Sequence, residues 1–361
     1  MRVADLVAAM ETIAPTRFAA PWDNVGLLVG DGEGPVSRVL LTIDCTREVL
    51  REAQAGGCEA VVSYHPPLFT AQKRFVAGSV AFEAARAGVA IFSPHTALDV
   101  ADGGTNDVLA DALGMTERSP LQPADGAEEL KLVTFVPAEH VEAVSLALFA
   151  AGAGRIGGYT SCSFRAAGTG TFFGGAGTNP AVGEAGRLEQ APEQRLETVV
   201  PVGRTQAVVD ALRAAHPYEE PAFDLVRLAP GPARRGYGRV GAVAPVPGTA
   251  LVDRVKAALG VEQVLVAGPV ERVVSRAAVC AGSGAELMGD AIAAGAGLFL
   301  TGELKHHDAL RAAEAGLAVV CTRHSTSERV ALVALARRLS ELLPRVAVTR
   351  SAQDRDPFAF A

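Results

Sequence analysis

The feature that most constrains this chain is one short unit that occurs four times, twice toward each end of the sequence. Each unit is a helix end closed by Ala-Gly or Ala-Gly-Gly, then an apolar run, then a polar residue able to ligate a metal. The first two run from Ala55-Gly56-Gly57 to His65 and from Ala87-Gly88 to His95. The later two run from Ala294-Gly295 to Glu303 and from Ala315-Gly316 to His324. A glycine just past a helix is the residue that takes the left-handed backbone ending it. A short uninterrupted apolar run is a strand covered on both faces. The polar residue then falls at the carboxyl end of its strand, where open α/β sheets place their ligands. The repeat therefore predicts an α/β fold: mainly parallel sheets with flanking helices, in a split two-lobed main domain.

Local patterns fill in the rest. Val3, Leu6, Val7 and Met10 recur at helical spacing. Trp22-Asp23-Asn24-Val25-Gly26 reads as a turn into a strand from Leu27 to Val29, and Val39 to Ile43 is a second strand before a helix from Arg47 to Ala55. Between the paired units the character changes. Strand Lys131 to Val136, helix Glu139 to Ala150, and strand pieces Ser161 to Ala166 and Gly168 to Phe173 come first. Strand Arg195 to Pro201, helix Arg204 to Ala215 and strand Ala222 to Leu228 follow. Strand–helix–strand twice over is the order of a small ferredoxin-like α+β domain. Asp125-Gly126-Ala127-Glu128-Glu129 and Gly231-Pro232-Ala233-Arg234-Arg235-Gly236 read as its linkers. A length of 361 residues allows about two domains. The expected division is 1–124 and 236–361 as two halves of one metal-binding domain, with 125–235 inserted. Three domains in series would leave the matching outer units unexplained.

Charge and composition exclude several classes. A formal net charge of −7 gives no nucleic-acid signature, because neutralising phosphates needs clustered Lys and Arg. No apolar run of membrane-spanning length occurs, and Glu11 interrupts the apolar stretch near the start, so neither a membrane span nor a signal segment is expected. The five cysteines are scattered without a C-x-x-C pair, which disfavours a disulfide framework and fits the cytoplasm.

Seven histidines are present, and His65, His95 and His324 fall at strand ends of the repeat. A single histidine is more often structural than functional; three at equivalent places of a repeat point to a site. His95 and Asp99 stand four residues apart, as do His324 and Glu328. On the first turn of a helix such residues share a face and can grip one ion. Neutral imidazole with carboxylate suits zinc, iron, manganese or cobalt, and ligands drawn from distant strands make a pair of bridged ions feasible. His306-His307 reads equally well as a contact to substrate or metal and as a solvated helix start. His216-Pro217-Tyr218-Glu219-Glu220-Pro221 reads as a rigid connection before it reads as a second ligand site. The glycine-rich run from Gly168 to Gly177 matches no phosphate loop, and no G-x-S-x-G elbow occurs.

These residues carry a resemblance. Trp22-Asp23-Asn24-Val25-Gly26-Leu27, Ser63-Tyr64-His65-Pro66-Pro67-Leu68-Phe69, His95-Thr96-Ala97-Leu98-Asp99, Gly103-Gly104-Thr105-Asn106-Asp107, Thr301-Gly302-Glu303 and His324-Ser325-Thr326-Ser327-Glu328 resemble, in order and over nearly the whole chain, the Nif-three-like dinuclear metal-centre family. Its members are often labelled GTP cyclohydrolase 1 type 2 homologues. The central segment is similar to the PII- and CutA-like insertion of longer members. The resemblance implies two divalent ions per subunit (zinc, iron or manganese) held by His65, Asp99, His324 and Glu328, with Glu328 or Asp99 bridging. It puts His95 and Glu303 in or beside the ligand set as candidate catalytic groups, and it implies a toroidal homohexamer. Many bacterial members have two histidines where this chain has Tyr64-His65. Tyr64 is thus a candidate ligand weaker than imidazole, since a phenol titrates near pH 10.

Two functions are expected from this. One is a metal-dependent hydrolase acting on a small molecule, a nucleotide or a phosphoester, through metal-activated water. The alternative is a non-catalytic metal-handling or metabolite-sensing, regulatory protein.

Overall fold

The computed structural model describes residues 1–124, 129–156, 158–228 and 234–359. The chain forms two compact units, Met1–Ala124 with Pro232–Ala361 and, separately, Asp125–Gly231.

The first unit holds two main sheets. One has the order Gly26–Val29, Ala90–Ser93, Ala60–Ser63, Arg38–Thr42, Ala347–Arg350, parallel throughout except at its first edge. The other has the order Leu265–Ala267, Ala318–Cys321, Leu298–Glu303, Val273–Ser283, Arg239–Pro247, Thr116–Ser119. The repeat units sit side by side as parallel neighbours, with Ala60 opposite Ala90 in one sheet and Leu298 opposite Ala318 in the other. Gly57, Gly88, Gly295 and Gly316 all have positive φ, between 65° and 76°, as their place after a helix requires.

The expectation of mainly parallel sheets needs correction. In the second sheet only the two pairings made by Leu298–Glu303 are parallel; the outer three are antiparallel, so the fold is a mixed one. The physical reason is that an apolar run reports burial of both faces and says nothing about the direction of the neighbouring strand.

Helices cover both faces of each sheet. Val3–Ile13 and Ala331–Leu342 pack Leu6, Met10, Leu332, Leu335 and Leu339 onto Leu41, Val62 and Phe92, while Val49, Leu50 and Ala84 meet Leu40, Val61 and Ile91 on the other face. In the second sheet, Leu109, Leu113, Leu251 and Val255 cover one face, and Met288, Ala291 and Ala312 the other. The two halves of the sequence exchange helices. Thr105–Leu113, from the first half, packs on the second sheet, and Ala331–Leu342, from the second half, packs on the first. The short helix His324–Arg329 lies where the chain crosses back, between Ala318–Cys321 of one sheet and the helix on the other. That crossing is what positions the site.

The second unit is a four-stranded antiparallel sheet in the order Phe223–Arg227, Glu129–Pro137, Leu188–Pro201, Ser163–Phe173. With helices Val141–Ala150 and Thr205–Ala215 the chain order is β-α-β-β-α-β. Both helices pack on one face, through Val144, Leu148, Val208 and Leu212 against Leu132, Val136, Leu196 and Val200. The two strand pieces expected around Gly168 are one strand, because the long ladder to Leu188–Pro201 supplies the pairing that a glycine by itself weakens. Of the expected linkers, residues 125–128 and 231–233 lie outside the described residues. Gly236 belongs instead to a two-residue ladder, Gly236–Tyr237 with Gln122–Pro123. Among the described residues no helix is long and apolar enough to cross a membrane.

Candidate metal centre

His65 follows strand Ala60–Ser63 by two residues, and His324 opens the helix His324–Arg329, which carries Glu328 one turn later on the same face. Glu328 reaches both imidazoles: its two oxygens lie 3.2 Å from His65 Nε2 and 3.1 Å from His324 Nε2. One ligand atom from each of the three residues falls within 4.8 Å of the others. The contact to His65 is at ion-pair distance but lacks the alignment of a hydrogen bond, so His65 Nε2 and Glu328 Oε2 are buried with no hydrogen-bond partner. Leaving such groups unpaired costs about 1–3 kcal/mol each, more when charged. Two ligands held about 2.1 Å from one ion at a tetrahedral angle stand roughly 3.4 Å apart. The donor types, the orphaned atoms and the spacing all fit one divalent cation.

Each imidazole of the site is held from behind. Asp44 Oδ1 lies 2.9 Å from His65 Nδ1, Glu303 Oε1 is 3.1 Å from His324 Nδ1, and Asp23 Oδ1 is 2.8 Å from His95 Nδ1. A carboxylate on Nδ1 fixes the tautomer and turns Nε2 forward as the basic atom. Asp23 also accepts from the Thr96 amide and hydroxyl, at 3.1 and 2.5 Å. Burial alone would raise the Asp23 carboxyl, but these bonds from His95 and Thr96 outweigh it and hold it below its usual range. Asp23 and Asp44 were not singled out in the sequence. Asp44 had a usable signal, since it follows a strand just as His65 does.

Without a metal, the acids dominate the imidazoles. Burial opposes charge on His65, yet Asp44 and Glu328 raise it to about 10. Glu328 chiefly raises His324 to about 9. Glu328 itself is lowered, its burial outweighed by the two histidines. Imidazoles raised from about 6.5 contribute stability that is complete below pH 6.5 and is lost as pH climbs through 9–10. Metal-free protein is therefore expected to lose Tm steadily from pH 7 to pH 10. A bound ion must displace those protons, about two per ion at pH 7, so metal affinity rises over the same interval. Melting in EDTA across that range, beside calorimetric titration in buffers of differing ionisation heat, checks both; a flat Tm with no proton release would refute them.

The matched pair on the other repeat behaves differently. His95 and Asp99 lie on the helix His95–Val100, but the Tyr64 hydroxyl donates to Asp99 and lies 3.1 Å from Thr105 Oγ1. Burial, then the charges of Asp99 and Glu328, push the Tyr64 phenol well above its ordinary value, so it is held as a donor rather than a phenolate. Burial raises Asp99 to about 6. The ring centroids of His65 lie 5.4 Å from those of both His95 and His324. Among the described residues no cluster of three ligand atoms includes His95, Asp99 or Glu303. His306 and His307 are exposed at the start of the helix His306–Glu314 and lie outside the cluster.

Several supports were invisible in the sequence. Gly282 has φ +65°, and a Cβ there would lie 2.8 Å from Glu328 Oε1 and 3.4 Å from His324 Nε2. Its missing side chain is what lets the ligand helix seat. Asn106 joins the helix His95–Val100 to the strand Val273–Ser283, donating to Asp99 O at 3.0 Å and accepting from the Ala281 amide at 2.9 Å. From the chain's end, Asp356 accepts from Ser325 at 2.9 Å and Asp354 pairs with Arg329 at 3.0 Å, clamping the ligand helix from outside.

Comparison with known proteins identifies the family and its fold. The Duf34/NIF3 (NGG1p interacting factor 3) family model matches residues 1–357. A protein of Mycobacterium tuberculosis named GTP cyclohydrolase 1 type 2 homolog is 38% identical over 349 residues, covering 94% of this chain and 88% of its own. The Bacillus subtilis protein of the same name is 35% identical over 366 residues, covering 98% and 97%. The crystal structure of a Bacillus cereus protein related to NIF3 superposes with a TM-score of 0.84 at 32% identity, covering 100% of this chain and 99% of that one.

Proposed function

The chain belongs to the Duf34/NIF3 family, and on that premise we propose that it is a divalent-metal-dependent hydrolase centred on His65, His324 and Glu328. The observation that carries this reading is the pair of buried atoms without a hydrogen bond, His65 Nε2 and Glu328 Oε2, facing each other across 3.2 Å. A bound divalent ion supplies Lewis-acid polarisation and activates water near neutral pH.

In this reading Asp99, with Glu328, would hold a second ion, and Tyr64 and His95 would stand beside it. Zinc, iron and manganese all suit these donors. Asp44, Asp23 and Glu303 keep the Nδ1 protons in place, so that each Nε2 serves as ligand or proton acceptor. His95 and Glu303 are the candidate proton carriers. A cavity of about 360 Å³ opens onto His65 and His324 and is bordered by Arg323 and Phe358, a size that suits a small-molecule substrate such as a nucleotide or phosphoester. The family resemblance further supports a cytoplasmic homohexamer with the 125–235 segment as a PII/CutA-like insertion.

Elemental emission on purified protein, followed by turnover assays against GTP and a panel of phosphoesters, tests the proposal. The expected result is one to two ions per subunit, and activity that chelation removes and metal restores. His65→Ala and His324→Ala are each expected to abolish both metal and turnover. Tight metal with no turnover would instead favour a metal-handling or sensing role, and zero ions per subunit would end the reading.

A further inference from the structure

The second unit carries a cavity of about 580 Å³ that the metal chemistry does not use. Its strand residues Phe135, Glu193 and Arg195 alternate with Val136 and Leu196, which pack under the helices, so it lies on the helix-free face of the sheet. The lining is chiefly apolar and aromatic, with Phe135, Phe172 and Tyr218 among its walls.

One carboxylate is built into it. Glu193 is only 9% exposed, and among the described residues its single hydrogen-bond partner is the Tyr218 hydroxyl, at 2.8 Å. A carboxylate has room for about four such bonds, so most of its accepting capacity is unused. Gly170 makes the placement feasible, because a Cβ there would lie 2.2 Å from Glu193 Oε2. His216 sets Tyr218 in turn: its Nε2 lies 3.0 Å from Phe135 O, and its Nδ1 accepts from the Tyr218 amide at 3.1 Å. Burial lowers the imidazole, which suits this neutral arrangement of one donor and one acceptor. The Asn179 amide donates to Glu219 at 3.3 Å, tying the loop after Phe173 to the same segment. The His216–Pro221 stretch is thus the frame of a pocket.

A cation lines the same cavity. Arg195 is two residues along the same strand and the same face, roughly 6.8 Å away by strand geometry. Its Nε donates to Glu197 at 2.7 Å, while its terminal nitrogens bond to no described residue. Glu219 and Glu220 also line the cavity but are exposed, so solvent screens them more than Glu193.

A buried acid and a guanidinium at successive same-face positions of one strand, beside an aromatic wall, complement a zwitterion with an apolar substituent. We propose that this cavity binds a free α-amino acid with an apolar side chain. Its ammonium would sit on Glu193, its carboxylate on Arg195, and its side chain against Phe135, Phe172 and Tyr218.

The test is calorimetric titration of the full chain with leucine, methionine and phenylalanine, and with phenethylamine and 3-phenylpropionate, which each lack one charge. EDTA is present throughout, so that chelation at the metal centre does not contribute. At least one amino acid is expected to bind, and phenylalanine to bind at least about tenfold tighter than either one-charge analogue. Glu193→Gln, which keeps an acceptor for Tyr218, is expected to weaken binding at least about tenfold, while His65→Ala leaves it unchanged. Arg195→Gln, on an exposed side chain, gives the same readout should Glu193→Gln unfold. No heat from any amino acid would overturn the proposal. So would phenethylamine binding as tightly as phenylalanine, or full affinity in both variants.

Discussion

Glu328→Gln is expected to lower metal affinity by at least about 100-fold, beyond the ten- to hundred-fold cost of losing a partner behind a ligand. Among the described residues Glu328 is the one side chain that reaches both imidazoles, at 3.2 and 3.1 Å, and it is 3% exposed. The amide keeps the shape and removes the charge. In the metal-free protein His324 then loses the largest influence holding it near 9, and His65 keeps only Asp44. The imidazoles can shed their protons, so the fold survives and the decline of Tm between pH 7 and 10 becomes shallower. Equilibrium dialysis against zinc and manganese, together with EDTA melts of both proteins, reads the two effects separately. Wild-type affinity in the variant would remove Glu328 from the ligand set.

Arg239→Met should be the most damaging change away from the site. Arg239 is 1% exposed and forms a two-pronged pair with Asp107, Nε to Oδ1 and a terminal nitrogen to Oδ2, both at 2.8 Å. It also donates to the carbonyls of Gly236 and Gly238 at 2.7 Å and of Ala101 at 3.0 Å. Methionine fills much of the volume but removes the guanidinium from Asp107, whose carboxylate keeps the Gly103 amide, and from the carbonyls of Arg234, Gly236, Gly238 and Ala101. Removing one member of a buried pair costs about 3–5 kcal/mol. Against a total stability of about 5–15 kcal/mol, that is a large fraction. At about 2–4 °C per kcal/mol for a unit of this size, Tm should fall by roughly 6–20 °C. Asp107→Asn in the same chain should restore part of the loss, since it removes the stranded charge. Asn106, the neighbour of Asp107, holds Asp99 and Ala281, so metal affinity should fall too, without any ligand being touched. A loss under about 1 kcal/mol would show that the pair is dispensable.

How far the site was legible follows from range. Helix Arg47–Ala55 was read to the residue, because its Thr46 cap and apolar spacing are local. The strand-end positions of His65, His95, Glu303 and His324 were also local, each tied to a glycine that ends the preceding helix or to the strand itself. The pairing of His324 with Glu328 needed only one helical turn. In contrast, Asp23 reaches His95 across 72 residues, and Asp44 reaches His65 from a neighbouring strand. Gly282 looks like any loop glycine until Glu328 is placed over it. Tyr64 reads as a spare ligand until Asp99 accepts its hydrogen bond.

The amino-acid order by itself determined the four repeat strands, the left-handed glycines that end the helices before them and which metal-capable side chains stand at the strand ends, because those depend on backbone conformation and neighbours a few residues away. Only the tertiary structure decided that the second sheet is mixed, that His65 meets His324 and Glu328, and that Asp23 and Asp44 stand behind two of the imidazoles. Those contacts exist because two helices are exchanged between the sheets, and an exchange of that kind is set by which apolar faces bury each other across hundreds of residues.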